Sequence, residues 1–354
     1  MTIRAHTGLR IAVLANRKYN VKAPEGAPAD ALAEYDAEET VEGIQAALRS
    51  AGHNPFFLEA DETFIDTVRE TRPDICFNIA EGLRGDARES HVPALLELLQ
   101  IPYTGSKVMT HAISLDKATT KQIWRDSGLP TAPFQLFRHV ESPLDDRLTF
   151  PLFVKPVREG SGMGINSQSI VRDLDALRTQ VRWVIETYHQ WALVEAFLPG
   201  REFTVGLVGN VLPPGQPPQS DFYNDQGFHL FPVLEIDTGK GAVKGIYNTQ
   251  AKSYAIEDEQ APGYLCPADI PDDLQHELYR LAIAAFDAIG TLDVGRVDFR
   301  LGADGQPNLV EINTLPGLNP LVSDMVIVAR AEGVDYAVLV NAILDMARTR
   351  YGLL

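Results

Sequence analysis

The 354-residue sequence has only two cysteines, Cys76 and Cys266, and neither stands in a pairing or metal-ligand spacing. That excludes a disulfide framework, fits a reducing compartment, and leaves both thiols as ordinary buried residues. Positive charge is scarce too: 31 Lys and Arg face 48 Asp and Glu, for a formal net charge of -17. A general nucleic-acid binder needs surplus cations along the phosphate backbone and is excluded, although a local basic pocket for a nucleotide is not. No apolar run reaches the length of a membrane span, and the opening MTIRAHTGLRIAVLANR is too short in apolar residues for a signal peptide. The expectation is a cytoplasmic protein with no membrane and no nucleic-acid partner. Internal repeats and low-complexity tracts are absent as well.

What is present is the composition of an ordinary globular chain, 45% apolar, long enough for two or three compact domains. Strand-like LRIAVLA (9–15), HNPFFLE (53–59) and DICFNIA (74–80) alternate with helical patterns over 37–52 and 61–70. This β-α-β-α-β order predicts a parallel sheet with helices on its faces, in a first domain over 1–114. A central domain, 115–194, opens with the helical pattern KATTKQIWRDSG, stopped by Gly128 and Pro130. It continues with two strand-like runs around a glycine-rich loop and a helix over 173–188. A third domain, 195–354, holds strands, a loop over 213–227 rich in Pro and Gly, a helix over 271–290, a hairpin and a closing helix over 336–350. The 213–227 loop is expected to be mobile and to serve, with the glycine-rich loop, as a lid.

The hairpin, DVGRVDFRLGADGQPNLVEINTLPGLNP (293–320), carries the strongest chemical signal. With a side-chain period of two, Arg296, Asp298 and Arg300 share one face of its first strand, and Leu309, Glu311 and Asn313 share one face of its second. Val297, Phe299, Val310 and Ile312 take the opposite faces. If the polar faces align, Asp298, Glu311 and Asn313 gather hard oxygen donors of the kind Mg²⁺ takes while also holding phosphates. Asn is a poor strand former, so a merely wet face has no need of Asn313.

Two further stretches carry charge where apolar residues are expected. Lys155 ends an apolar strand just before Glu159-Gly160-Ser161-Gly162-Met163-Gly164, whose backbone N–H groups can approach an anion closely. The next element is a strand, which excludes the dinucleotide fingerprint. Glu195 sits in the apolar run LVEAF, where an unpaired carboxylate is costly, so it must meet a cation or a ligand donor.

Taken in order, LDKATTKQIWRDSGLPT, FPLFVKPVREGSGMG, LVEAFLPGREFTV, QAKSY, GRVDF and LVEINTLPGLNP resemble the ATP-grasp superfamily, and within it the D-alanine-D-alanine ligase branch. ELLQIPYTGS resembles the same branch. The resemblance implies an α/β (α+β) ATP-grasp fold: a parallel-sheet, Rossmann-like first domain, a small central α+β domain, and a C-terminal α+β domain with a mostly antiparallel sheet. It implies an ATP-dependent ligase that joins a carboxylate to an amine through an acyl phosphate. The implied cofactors are ATP and two Mg²⁺ ions, with Mn²⁺ as a substitute; small amino-acid substrates and a homodimer are the implied partners.

By position, Lys117, Lys155, Glu195, Glu202 and Lys252 match nucleotide-binding residues, and Asp298, Glu311 and Asn313 match the metal ligands. Arg296 and Gly317 match the groups that stabilise the reacting centre, Ser161 a loop residue covering the phosphates, and Ser323 a serine that holds a substrate carboxylate. The branch's Glu-Arg-Glu-Val-Ser signature is missing, with Asp36, Glu38 and Glu39 as candidate replacements. Its His-Gly loop becomes Asn78-Ile79-Ala80-Glu81-Gly82, followed by Arg84, Arg88, Glu89 and His91. Glu81, Arg84 and Arg88 are the candidates there for the first substrate, Arg84 or Arg88 as bidentate partner of its carboxylate. The departures lie on the amino-acid side, so three readings stay open: a ligase for other amino acids, a D-alanine-D-alanine ligase of peptidoglycan synthesis, and a nucleotide-binding protein without turnover.

Overall fold

The computed structural model describes residues 8–21, 26–240, 245–253 and 258–353, without the side chains of Lys252 and Ser253. The chain begins with β1 (Arg10–Ala15), α1 (Glu38–Ser50), β2 (Asn54–Glu59), α2 (Phe64–Thr71) and β3 (Ile75–Asn78). The three strands pair in parallel with β1 in the centre. β1 reads as an unbroken apolar run because helices cover both of its faces. Ile11 and Val13 pack with Val41 and Ile44 of α1, while Ala12 and Leu14 pack with Phe64 and Val68 of α2.

Two helices precede the central unit: α3 (His91–Leu98) and α4 (Val108–Leu115). α5 (Lys117–Asp126) starts where the Asp116 side chain accepts from the Thr119 N–H, a charged N-cap. β4 (Phe134–Phe137), β5 (Leu152–Pro156), β6 (Ile170–Val171), α6 (Leu174–Tyr188) and β7 (Ala192–Ala196) then form an antiparallel sheet in the order β4-β7-β5-β6, backed by α6.

The rest of the chain builds a larger antiparallel sheet. β8 (Glu202–Gly209), β9 (Phe228–Leu230) and β10 (Leu234–Asp237) lead to the short α7 (Thr249–Ser253), β11 (Gly263–Leu265) and α8 (Asp272–Ala288). The hairpin follows as β12 (Asp293–Leu301) and β13 (Pro307–Asn313), then α9 (Asp324–Ala331) and α10 (Tyr336–Tyr351). The sheet order is β11-β10-β8-β12-β13, with β9 also on β8. One face of this sheet packs on α8; the other joins α9 and α10, whose Leu339, Ile343 and Met346 reach the core of the parallel sheet. The closing helix thus ties the first and last parts of the chain together. Among the described residues, no helix is long and apolar enough to cross a membrane.

Two expectations need correction. A β-bulge lies in the hairpin: Asp298 faces Glu311, but the next residue, Phe299, faces Leu309. Val310 is the extra residue, and inserting it inverts the alternation on β13. Leu309 therefore enters the core beside Phe299, not the polar face, and Val310 turns to the cleft. The 213–227 loop is no lid over the site either. Phe222 and Tyr223 pack into the core shared with α10, Gln219 donates to Thr349, and the loop lines neither of the two cavities described below.

Candidate active site

The polar face of β12 and β13 divides two cavities. A narrow cleft of about 90 Å³ lies between the two antiparallel sheets, lined by Phe153, Lys155, Met163, Glu195, Phe197, Glu202, Asp298, Arg300 and Val310. A wider cavity of about 290 Å³ lies between the hairpin end and the parallel sheet, lined by Asp36, Glu81, Glu89, Ser161, Arg296, Asn313, Gly317 and Ser323 among others. Lys117, Tyr247 and Glu311 border both, so whatever passes between the cavities passes these three side chains.

In the cleft, apolar walls surround a few fixed charges. β5 and β7 are paired with Phe153 opposite Glu195 and Lys155 opposite Leu193. Lys155 Nζ reaches Glu195 Oε1 at 2.7 Å, and Lys121 Nζ reaches Oε2 at 2.9 Å. Burial alone would raise the Glu195 carboxyl, but the two lysines hold it down to about 2. Burial also opposes the charge of both lysines; with Glu195 against it, Lys155 ends above its ordinary value and Lys121 below. Lys121 was not legible as a site residue from motifs, although it lies four residues after Lys117 and so shares its helix face. Glu202 meets Arg300 at 3.4 Å.

At the boundary, the register places Asp298 opposite Glu311 and Arg296 opposite Asn313. Arg296 Nε and Nη2 both lie 3.0 Å from Asp298 oxygens, Asn313 Nδ2 donates to Asp298 Oδ2 at 3.0 Å, and Thr204 donates to Oδ1. Arg296 Nη1 also lies 3.5 Å from Asp324. Burial opposes the Arg296 charge, but Asp298 and Asp324 outweigh it and raise its pKa. Lys117 Nζ lies 3.4 Å from Glu311 and donates to the Glu159 carbonyl. Thr204 and Asp324 carry no motif of their own; pairing to β8 and the start of α9 brings them in. The donor set fits Mg²⁺: two carboxylates and an amide oxygen come from adjacent strands, beside the lysines that phosphates would also need.

The glycine-rich loop spans both cavities. Ser161 has φ 49° and Gly162 φ 73°. A Cβ at Gly162 would sit 2.7 Å from Asn248 Cα, so only glycine allows the loop to rest on the 248–249 segment, where Thr249 donates to the Ser161 carbonyl. The loop N–H groups are engaged by carboxylates of the 26–36 segment: Gly160 N donates to Glu34 at 2.7 Å and Gly164 N to Asp30 at 2.9 Å.

On the substrate side, the candidates separate. Glu81, Gly317 and Ser323 line the wider cavity; Ser323 Oγ accepts from the Asn319 N–H at 2.8 Å. Glu39 and Arg84 are exposed and line neither cavity. Arg88 is held by Glu34 at 2.6 Å and Glu159 at 3.2 Å, which makes it a brace between the 26–36 segment and the glycine-rich loop rather than a free carboxylate partner. Of the replacements for the missing signature, Asp36 lines the cavity. The side chain of Lys252 lies outside the described residues.

The family model described as D-ala D-ala ligase C-terminus matches residues 123–345. An uncharacterized protein of Sinorhizobium fredii is 35% identical over 318 residues, covering 88% of each chain. A D-alanine-D-alanine ligase of Bordetella avium is 33% identical over 307 residues, 85% of this chain and 87% of that protein. Among solved structures, a D-alanine-D-alanine ligase of Bacillus anthracis complexed with ATP superposes with a TM-score of 0.72 at 22% identity, covering 98% of this chain and all of that one. The sheets, the hairpin and these matches agree: this chain belongs to the D-alanine-D-alanine ligase family and has the ATP-grasp fold.

Proposed function

We propose that this chain binds ATP in the narrow cleft and activates a carboxylate held in the wider cavity, joining it to an amine with release of ADP and phosphate. It is an ATP-dependent carbon-nitrogen ligase of the D-alanine-D-alanine ligase type. The observation that carries the reading is the register that sets Asp298 against Glu311 where the two cavities meet.

The apolar cleft suits a base, with Glu195 and Glu202 at hand for its polar edge and ribose. Lys117 and Lys155 face the phosphates. Asp298, Glu311 and Asn313 would hold Mg²⁺, which when bound neutralises charge on the transferring phosphoryl group. The substrate carboxylate attacks the γ-phosphorus, the bond to the β-bridging oxygen breaks, and ADP leaves. The amine then attacks the acyl carbon. Arg296, fixed by Asp298 and Asp324, and the Gly317 N–H stabilise the oxyanion until phosphate departs. The glycine-rich loop keeps water from the acyl phosphate. The wider cavity takes small amino-acid substrates, and a homodimer in the cytoplasm completes the reading.

The double variant Glu311→Gln, Asn313→Ala tests it. ADP release stimulated by pooled amino acids should fall at least about 10²-fold, the scale of losing preorganised charge stabilisation, while nucleotide binding without metal persists. Product mass spectrometry of the wild type should show an amide. Undiminished ADP release in the variant would overturn the assignment.

A further inference from the structure

The wider cavity holds more carboxyl groups than a neutral amino acid requires. Its two bordering cations are taken: Lys117 by Glu311, and Arg296 by Asp298 and Asp324. Arg88, behind the wall, is bound to Glu34 and Glu159. Three carboxyls remain, Asp36, Glu81 and Glu89, and all line the cavity. Glu89 is 9% exposed, and among the described residues its carboxyl has no hydrogen-bond donor. His111 lies 3.8 Å away but gives its Nδ1 to Thr314 Oγ1 at 2.9 Å. That imidazole is wholly buried, which lowers its pKa to about 4 and keeps it neutral. Burial, then repulsion from Glu34, pushes Glu89 up to about 8, and burial with repulsion from Glu89, Glu34 and Asp36 pushes Glu81 well up.

A buried carboxyl without a donor is expensive, and Glu89 with the partly buried Asp36 and Glu81 beside it is stable only if something positive joins them or they stay protonated. Asp36, Glu81 and Glu89 line the cavity without forming a metal-ligand group among the described residues. An ammonium carries three donors and can serve several carboxylates at once. The α-ammonium of an amino acid, whose carboxylate must lie near Arg296 to meet the transferring phosphoryl group, answers one of the three.

We infer that the end of the cavity formed by Glu89, Glu81 and Asp36 binds a second ammonium on the substrate, so that the acid activated here is a diamino acid rather than a neutral one. This rests on the ligase reading. The cavity is the specificity site of that reaction, and Glu89, as its most buried member, anchors the side-chain ammonium.

The test measures kcat/KM with ATP and Mg²⁺ for alanine, 2,3-diaminopropionate, ornithine and lysine, each as D and L forms, with one shared amine acceptor. Calorimetry measures binding of the same amino acids without turnover. At least one diamino acid should exceed alanine by about tenfold or more, the size of one charge-assisted hydrogen bond. Glu89→Gln should cut that ratio by a similar factor; Glu81→Gln serves where Glu89→Gln does not fold. Turnover of alanine with a ratio near one, or an unchanged ratio in the folded variant, overturns the inference and leaves the ligase reading standing. Binding of a diamino acid that Glu89→Gln abolishes, with no pair stimulating ADP release, sinks the ligase reading and keeps the cation site. If no amino acid binds and none stimulates ADP release, both fall.

Discussion

Glu195 holds two lysines that burial would otherwise discharge, and the arrangement is strongly asymmetric under mutation. Glu195→Gln leaves Lys121 and Lys155, both nearly inaccessible, without a counter-charge. Breaking a buried pair from one side costs on the order of 3–5 kcal/mol, so urea denaturation should show a loss of that size, and ATP should restore part of it by binding beside the lysines. A variant as stable as the wild type would mean the lysines find other partners. Arg296→Lys is the complementary case: an ammonium cannot make the parallel pair of bonds that the guanidinium makes to Asp298. Steady-state kinetics should show kcat reduced about 10²-fold with KM for ATP little changed. Lys155 and Glu195 were legible in the sequence because charge in an apolar strand demands a partner. Lys121 and Asp324 were not, because a lysine on a helix and an acid at a helix start are ordinary surface residues until tertiary packing buries them.

The glycine-rich loop shows what the sequence reveals about an element and what it withholds. Three glycines in five residues announced a close backbone approach, but not that part of the approach is to the 248–249 segment. Gly162→Ala places a methyl against Asn248 in a left-handed backbone region, costing on the order of 1–3 kcal/mol locally. The loop should then rest open, seen as faster proteolysis at 158–165 and a higher KM for ATP, with the unfolding midpoint nearly unchanged. Equal cleavage rates would show that the contact does not hold the loop. The parallel sheet was readable from apolar runs alternating with helical spacing, and the antiparallel hairpin from its period of two. The bulge at Val310 was not, since one inserted residue leaves the composition of β13 intact and inverts only its facing. The loop over 213–227 misled for a related reason: Pro and Gly mark a turn-rich path, and only the packing of Phe222 and Tyr223 shows that it is anchored.

At the scale of the whole molecule, the acid-lined cavity couples folding to pH. Glu89 is pushed up to about 8 by burial first and then by Glu34, with Glu311 adding to it and Arg88 and Lys117 opposing. Asp36 is pushed up to about 8 by burial and Glu59, and Glu81 also lies high through burial, Glu89, Glu34 and Asp36. His111 is held down to about 4, so below its ordinary 6.5 the unfolded chain binds a proton that the native state does not, and it opposes the carboxyls up to that pH. A carboxyl whose folded pKa is raised keeps its proton in the native state after the unfolded chain has lost it. The native state then binds more protons, and stability falls with rising pH. The loss begins above the ordinary carboxylate range and runs to about pH 8. Glu195, held down to about 2, acts only below that window, where its pair weakens with acid. Between pH 6.5 and 8, above the range in which His111 acts, the cavity therefore sets the trend. The unfolding temperature of the ligand-free protein should decline steadily over that interval, and Glu89→Gln should flatten the decline because its amide has no proton to lose. If Glu89→Gln follows the wild-type slope across the same interval, the titrating proton lies outside this cavity.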